Sequence, residues 1–277
     1  MTIPSHTLND GTTIPAIGLG TYNLLGSEGD ASISRAIDSG YRLLDTALNY
    51  KNEGDVGEGI RASSVSRDEL FVTTKLPGRH HGYDSAIASL EESLGNLGLD
   101  HVELYLIHWP LPKVDKYVDT WRALIELRER GLTRSIGVSN FTPTQLQRLI
   151  DETGVTPAVN QVELHPNFPQ GELREFHAAH GIRTQSWSPL GSRHADFTTV
   201  PTIVDVAAAH GVTPSQAVLR WHIQLGSVPI PRSGDAGRQR ENLDVFGFEL
   251  TDAEITAISA LESGRLWDGD PDTHEEF

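Results

Sequence analysis

The sequence predicts an α/β protein folded as a single (β/α)8 barrel of the TIM type, and three observations carry that prediction. Apolar, strand-like runs begin near Ala16, Arg42, Leu70, Val102, Thr133, Ala158, Arg183 and Val228. Helical periodicity fills the intervals between them. The first seven runs are spaced by roughly 25 to 32 residues, the length of a strand plus a helix, and an extra helix precedes the eighth. A chain of 277 residues could hold two average domains, but no linker or low-complexity stretch interrupts the alternation, so one domain over residues 1–277 is expected.

The elements follow in order. Asn9-Asp10-Gly11 between short β-prone pieces predicts a hairpin within residues 1–15, a lid over one end of the barrel. Helices are expected at Ala31–Ser39, Val56–Ala62, Asp84–Leu97, Tyr117–Arg130, Thr144–Glu152, Glu172–His180, Pro201–His210 and Pro214–Leu225. Gly40, Gly131, Gly181, Gly211 and Gly226 mark several of their ends, because a helix stops readily where glycine turns left-handed. Ser85, Asp119 and Thr142 to Thr144 supply residue types suited to helix starts. A further helical start holds Arg238 and Arg240, and Thr251-Asp-Ala-Glu is a capping-box pattern opening a last helix to Leu261. The acidic tail, residues 262–277, has little periodicity, and Trp267 favours its docking at the barrel mouth.

Composition narrows the function. A formal net charge of -16 disfavours nucleic acid and anionic membranes as partners, because both require a positive field. No apolar run approaches the ~20 residues that cross a bilayer, and the first residues lack the pattern of a signal peptide, so a cytoplasmic protein is expected. The absence of cysteine excludes disulfides and thiolate chemistry.

A barrel concentrates chemistry where its strands end. Val102 to Pro110 is an apolar run that stops at His108 and is broken by proline. Alone, His108 reads as a core histidine. Neighbouring strands change the weighing: Asp45 ends the second, with Tyr50 five residues on, and Lys75 ends the third. Four titratable groups on adjacent strand ends are the pattern of a site. The next three strands end in Ser139-Asn140, Asn160-Gln161 and Trp187-Ser188, groups suited to a flat heteroaromatic ring carrying a carboxamide. After the eighth come Arg232, Ser233, Arg238 and Arg240, a basic cluster in an acidic chain and a candidate phosphate site. Two rival motifs are set aside. His177 and His180 have metal-ligand spacing but are expected on an exposed helical face, and Gly18-Leu-Gly20 lacks the third glycine of a dinucleotide loop.

Read together, Asp45-Thr46-Ala47 with Tyr50 and Asn52-Glu53, Thr74-Lys75-Leu76, Leu104 to Pro110, Gly137 to Phe141, Asn160 to Pro166 and Ile230 to Ser233 resemble the aldo-keto reductase family over nearly the whole chain. The short loop after His108 looks most like the bacterial 2,5-diketo-gluconate reductase group. The resemblance implies an enzyme, an NADPH-dependent reductase of aldehydes, dicarbonyls such as methylglyoxal, or keto sugar acids, with NADH a weaker alternative and no metal. It also implies a monomer whose partner is a small carbonyl compound. Asp45, Tyr50, Lys75 and His108 match the family's catalytic residues. Tyr50 would donate a proton, Lys75 would lower its pKa, Asp45 would hold Lys75, and His108, as neutral imidazole, would orient the carbonyl. Trp187, Ser139, Asn140 and Gln161 would hold the nicotinamide, with Ser188 and Leu190 beside it. Arg232, Ser233 and Arg238 would take the 2'-phosphate, with Glu241 and Asn242 near adenine. Tyr22, Asn49, Trp109 and Trp267 are the expected pocket walls. Arg232 stands where the family usually has lysine, and Asp235 is expected to repel phosphate and weaken the NADPH preference. Leu48-Asn49 and Lys51 also depart from the family's small-residue and glycine pattern.

Overall fold

The computed structural model describes residues 3–276. Met1, Thr2 and Phe277, the outermost residues of the expected hairpin segment and tail, lie outside the described residues. β1 (Ser5–Thr7) and β2 (Thr13–Pro15) form the antiparallel hairpin. Eight parallel strands then lie side by side in chain order: β3 (Leu19–Gly20), β4 (Leu43–Asp45), β5 (Phe71–Leu76), β6 (Val102–Ile107), β7 (Thr133–Ser139), β8 (Val159–Glu163), β9 (Arg183–Trp187) and β10 (Val228–Pro229).

The first and last of these meet along a seam. Gly18 N donates to Pro229 O at 3.0 Å and Gly20 N to Pro231 O at 3.1 Å, while Ile230 N turns the other way to Ser186 O on β9. Prolines 229 and 231 have no N–H, so at these two positions the chain accepts from Gly18 and Gly20 without donating in return. Close approach is what makes Gly18 necessary: a Cβ there would stand 2.6 Å from Leu43 and 2.7 Å from Ile230.

Helices α1 (Gly26–Ser39), α2 (Glu53–Ala62), α3 (Tyr83–Leu97), α4 (Tyr117–Glu129), α5 (Pro143–Thr153), α6 (Gly171–His180), α7 (Pro201–His210), α8 (Pro214–Gln224), α9 (Ala236–Leu243) and α10 (Asp252–Ser259) surround the sheet among the described residues. The expected barrel and its element order are therefore present. α1 starts five residues earlier than periodicity suggested, because its first turn, Gly26 to Gly29, is mostly polar and exposed. α2 likewise begins at Glu53, and β3 begins late because Ala16 N still bonds Pro4 O of the hairpin. Thr142 and Thr251 cap α5 and α10 as expected, each in a reciprocal capping box. Ser85 and Asp119 do not cap. Both lie inside first turns, Ser85 Oγ beside His80 Nδ1 at 3.2 Å and Asp119 accepting from Arg122 at 2.7 Å. Among the described residues no helix is long and apolar enough to cross a membrane.

Parity along the strands sorts the barrel interior into layers. Leu43, Phe71, Leu104, Leu106, Val159 and Val228 pack inside with Leu8 and Ile14 of the hairpin, which thus plugs one end. Side chains alternate faces with period two. Asp45 follows Leu43 by two residues, Lys75 follows Phe71 by four, His108 follows Leu106 by two and Gln161 follows Val159 by two, so all four have the inward parity and lie above these apolar residues. The polar layer therefore lies at the opposite end from the hairpin, on top of an apolar floor.

Candidate active site

At that end opens a cavity of about 500 Å³ lined by Asp45, Tyr50, His108, Asn140, Gln161, Trp187, Arg232 and Trp267, among others. The Lys75 ammonium organises its base. Fully buried, it donates to Asp45 Oδ1 at 2.6 Å and Thr46 O at 2.8 Å and reaches Tyr50 OH at 3.4 Å. Asp45 Oδ2 accepts from Gln161 Nε2 at 2.7 Å, and the same nitrogen reaches Gln185 Oε1, also at 2.7 Å. Burial alone would lower the lysine's pKa, but Asp45 and Tyr50 outweigh it and the net shift is upward, so the ammonium holds its charge.

Tyr50 is delivered by a one-turn 3-10 helix, Leu48–Tyr50, because β4 ends at Asp45. Lys51 closes that turn at φ 56°, a conformation that favours glycine, which is where this chain departs from the family pattern. The phenol's pKa is raised, not lowered as expected. Burial is the largest cause, and the downward pull of Lys75 only partly offsets it. The group is consequently held in its protonated, proton-donating form through neutral pH.

His108 follows β6, with its ring centroid 6.0 Å from that of Tyr50. Its Nδ1 is enclosed and stands 3.1 Å from Glu276 Oε1 of the tail. The expectation of a neutral ring rested on Lys75 as the one nearby charge. Asp45 pairs with that lysine, and Glu276 adds a carboxylate beside the ring.

Above this layer, Asn140 adopts φ 64° and its side chain makes three hydrogen bonds: Nδ2 donates to His108 O (3.0 Å) and Ser139 Oγ (3.1 Å), while Oδ1 accepts from Trp187 Nε1 (2.8 Å). These bonds fix the half-buried Trp187 ring as a flat wall of the cavity. Ser139 lies beneath the surface, donating to Gln161 O, whereas Ser188 and Leu190 line the cavity. Tyr22 stands edge-on to Tyr50 at 5.1 Å and is 55 % exposed. Trp109 is also on the wall, its ring centroid 4.2 Å from that of His274 of the tail and tilted by 49° to it.

Several expected members lie elsewhere. Asn49 is outside the cavity, hydrogen-bonded by Arg79. Ser233, Arg238, Glu241 and Asn242 are not on its wall. Glu241 accepts from Thr213 Oγ1 at 2.7 Å, and buried Asn242 supports the Tyr41 hydroxyl. Arg232 donates to the carbonyls of Tyr22 and Asn23, both at 3.1 Å, tying the seam to the loop after β3. Asp235 is the N-cap of α9, accepting from Arg238 N at 2.8 Å, and that bond lowers its pKa. His177 is buried, not exposed: Asn160 Nδ2 (2.9 Å) and Thr184 Oγ1 (2.8 Å) occupy its two nitrogens, because this face of α6 packs on β8 and β9. Both nitrogens being engaged, a ligand role for the pair is closed.

Sequence reading missed Arg193 and the reach of the tail. Arg193 lines the cavity and lies 5.9 Å over the Trp267 ring; a basic residue in the loop after β9 of so acidic a chain was its signal. The tail does dock. Glu163 Oε1 accepts from Leu266 N (2.7 Å) and Trp267 N (3.2 Å), setting Trp267 edge-on to Trp187 at 5.7 Å. The strap then passes Trp109 and Gln145, and Lys113 N donates to Glu275 before Glu276 meets Gly78, where a Cβ would collide with the Glu276 carbonyl. A second cavity, about 480 Å³ under the hairpin, holds Glu103, but that carboxylate is occupied by Val72 N and Arg67.

The Aldo/keto reductase family model matches residues 16–263. The chain is 63% identical over 275 residues to 2,5-diketo-D-gluconic acid reductase B from Corynebacterium sp. (strain SHS752001), covering 99% of each. Among solved structures it is similar to a mutant of Gox0644 in complex with NADPH (TM-score 0.93, 44% identity, 99% of this chain and 100% of that one). It is also similar to Bombyx mori aldo-keto reductase in complex with NADP (TM-score 0.91, 37% identity, 97% and 96%).

Proposed function

This chain belongs to the aldo/keto reductase family, and on that premise we propose that it reduces aldehyde or ketone carbonyls to alcohols with NADPH, Tyr50 acting as general acid. The observation that carries the reading is the Lys75 ammonium held between Asp45 and Tyr50 at the base of an open cavity. The cavity fits a nicotinamide nucleotide: the Trp187 ring offers a flat face, Gln161 an amide on the wall, and Arg193 and Arg232 positive charge. NADPH, when bound, supplies a hydride to the carbonyl carbon. Charge then develops on the carbonyl oxygen, and the chain's part is to meet it. Tyr50 O–H transfers its proton to that oxygen, and Lys75 stabilises the phenolate left behind. Asp45 keeps Lys75 charged and in place, while His108 hydrogen-bonds the oxygen. Trp187 would hold the nicotinamide ring, with Gln161 and Asn140 for its carboxamide, Ser139 supporting them from beneath, and Ser188, Leu190 and Arg193 beside the nucleotide. Arg238 and Ser233, with Glu241 and Asn242, would hold the 2'-phosphate and adenine beyond the cavity wall.

The substrates are small carbonyl compounds: neutral aldehydes, dicarbonyls such as methylglyoxal, or keto sugar acids, between Tyr22, Trp109 and Trp267. The keto acid reading draws on the Corynebacterium relative's name, and the net charge of -16 opposes it. Family analogy supports a monomer, and the uninterrupted strand–helix alternation supports a single-domain enzyme, which we place in the cytoplasm.

The test is NADPH oxidation with methylglyoxal, a diketo sugar acid and an aromatic aldehyde, for wild type and Tyr50→Phe. Turnover by wild type, with at least about 100-fold loss in the variant and retained NADPH binding, is expected. Tight NADPH binding without turnover on any carbonyl would replace this reading with that of a nucleotide-binding protein.

A further inference from the structure

The tail brings a carboxylate to His108, a residue of the cavity wall. Glu276 Oε1 lies at ion-pair distance, 3.1 Å, from Nδ1, a buried nitrogen that no aligned hydrogen bond satisfies among the described residues. Side-chain exposures of 12 % for the histidine and 20 % for the glutamate keep bulk water from screening the pair. Each is fixed from its own side. Asn140 bonds the His108 carbonyl, His108 N donates to Leu76 O at 3.0 Å, and the strap is seated against Gly78 and Lys113.

We infer that Glu276 is a positioning residue for carbonyl reduction: it takes the Nδ1 proton of His108, turns Nε2 to the substrate, and balances the charge of the doubly protonated ring. This rests on the reductase reading above. The chemistry follows from the ring's two nitrogens. A neutral imidazole that gives its Nδ1 proton to a carboxylate has a bare Nε2, which can only accept. A carbonyl oxygen is also an acceptor. His108 can therefore donate to it only as the imidazolium, with protons on both nitrogens, and a buried cation of that kind needs a counter-ion within contact distance. Asp45 is already committed to Lys75 and Gln161, leaving Glu276 to serve. The carboxylate suits the task. Burial pushes its pKa up, but His108 and Asn49 more than offset this, and the net shift is downward, so it is ionised at neutral pH. The other titratable groups facing the pair are Tyr50 across the ring and His81 and His274 beside the glutamate. Burial holds His81 down at about 4, which removes it as a competing cation at neutral pH.

The experiment combines kinetics with two-bond 15N–1H spectra of histidine-labelled, NADP-bound enzyme, His108 being assigned by its loss in His108→Gln. Wild-type turnover of a neutral aldehyde is established first, so that failure of the reductase reading is seen separately. Glu276→Gln and Glu276→Ala are expected to lower kcat by about tenfold or more, the equivalent of one charge-assisted hydrogen bond. The dissociation constant for NADPH should stay within about twofold, which also reports correct folding. In the spectra the wild-type pattern of two protonated ring nitrogens should change to that of a neutral ring in both variants. Formate, a carboxylate small enough for the space left by Glu276→Ala, should restore part of the rate. An unchanged kcat overturns the inference. So does a lowered kcat with an unchanged His108 spectrum, because Glu276 would then only hold the strap in place.

Discussion

Replacing Lys75 by methionine tests the base of the cavity as a physical object. The substitution keeps an unbranched side chain, shorter by one atom, and removes the cation. Asp45, 4 % exposed, then keeps a single strong donor, Gln161 Nε2 at 2.7 Å, and Thr46 O loses its bond from the ammonium. Removing one partner of a buried pair typically costs about 3–5 kcal/mol, and the surviving Gln161 bond places this case near the lower end, at about 3 kcal/mol. With an unfolding entropy of about 2.1 cal/mol/K per residue, a chain of this size has about 0.6 kcal/mol/K in total, so the melting temperature should fall by about 5 °C. Calorimetry without cofactor reads it. Adding Asp45→Asn removes the stranded charge and should recover at least half of the loss, yet turnover should stay abolished because Tyr50 has lost its ammonium. A melting temperature for Lys75→Met within about 1 °C of wild type, or a double variant whose loss is the plain sum of the singles, would refute the buried pair as described.

Arg238→Ala should raise the dissociation constant for NADPH about tenfold and that for NADH by less than about twofold, measured by quenching of protein fluorescence, since one charge-assisted contact to the 2'-phosphate is lost. Equal effects on both cofactors would remove Arg238 from the phosphate site. Acid should weaken the fold through its buried histidines. Burial holds His177 and His222 at about 3 and His81 at about 4, below the ordinary value of 6.5, so as pH falls the unfolded chain takes up protons first. The stability these groups contribute is complete above pH 6.5 and is lost as pH drops toward 3. Each adds a slope of up to about 1.4 kcal/mol per pH unit, and urea unfolding between pH 6.5 and 5 should show the decline. A flat profile over that interval would contradict it.

The strand ends were readable because parity and spacing are local. Once Leu43, Phe71 and Leu106 are placed inside a barrel, Asp45, Lys75 and His108 must share their inward parity and lie above them, and no distant contact is needed to say so. What escaped depends on residues far apart in the chain. Glu276 meets His108 across 168 positions (276 less 108), and nothing near either residue announces the other. Arg232 looked like a free cation in sequence, whereas the carbonyls it serves belong to Tyr22 and Asn23 on the far side of the seam. His177 was misplaced for a related reason: the spacing of two histidines does not say which side of α6 faces the sheet. The pKa of Tyr50 is raised where the neighbouring ammonium alone would lower it, because burial of the phenol is the larger effect.

The layering of the barrel has a consequence for how such a protein can be altered. Asp45, Lys75 and Gln161 are rooted in strands whose lower residues are the apolar floor, so a change there disturbs chemistry and folding together. Tyr22, Trp109, Arg193 and Trp267 stand on loops and the strap, and their backbones carry none of the ladder that holds the sheet. Exchange at those four positions can retune which molecules are admitted while the reaction is inherited intact. A randomised library confined to them should keep most of its members folded, and one that includes the inward strand ends should not.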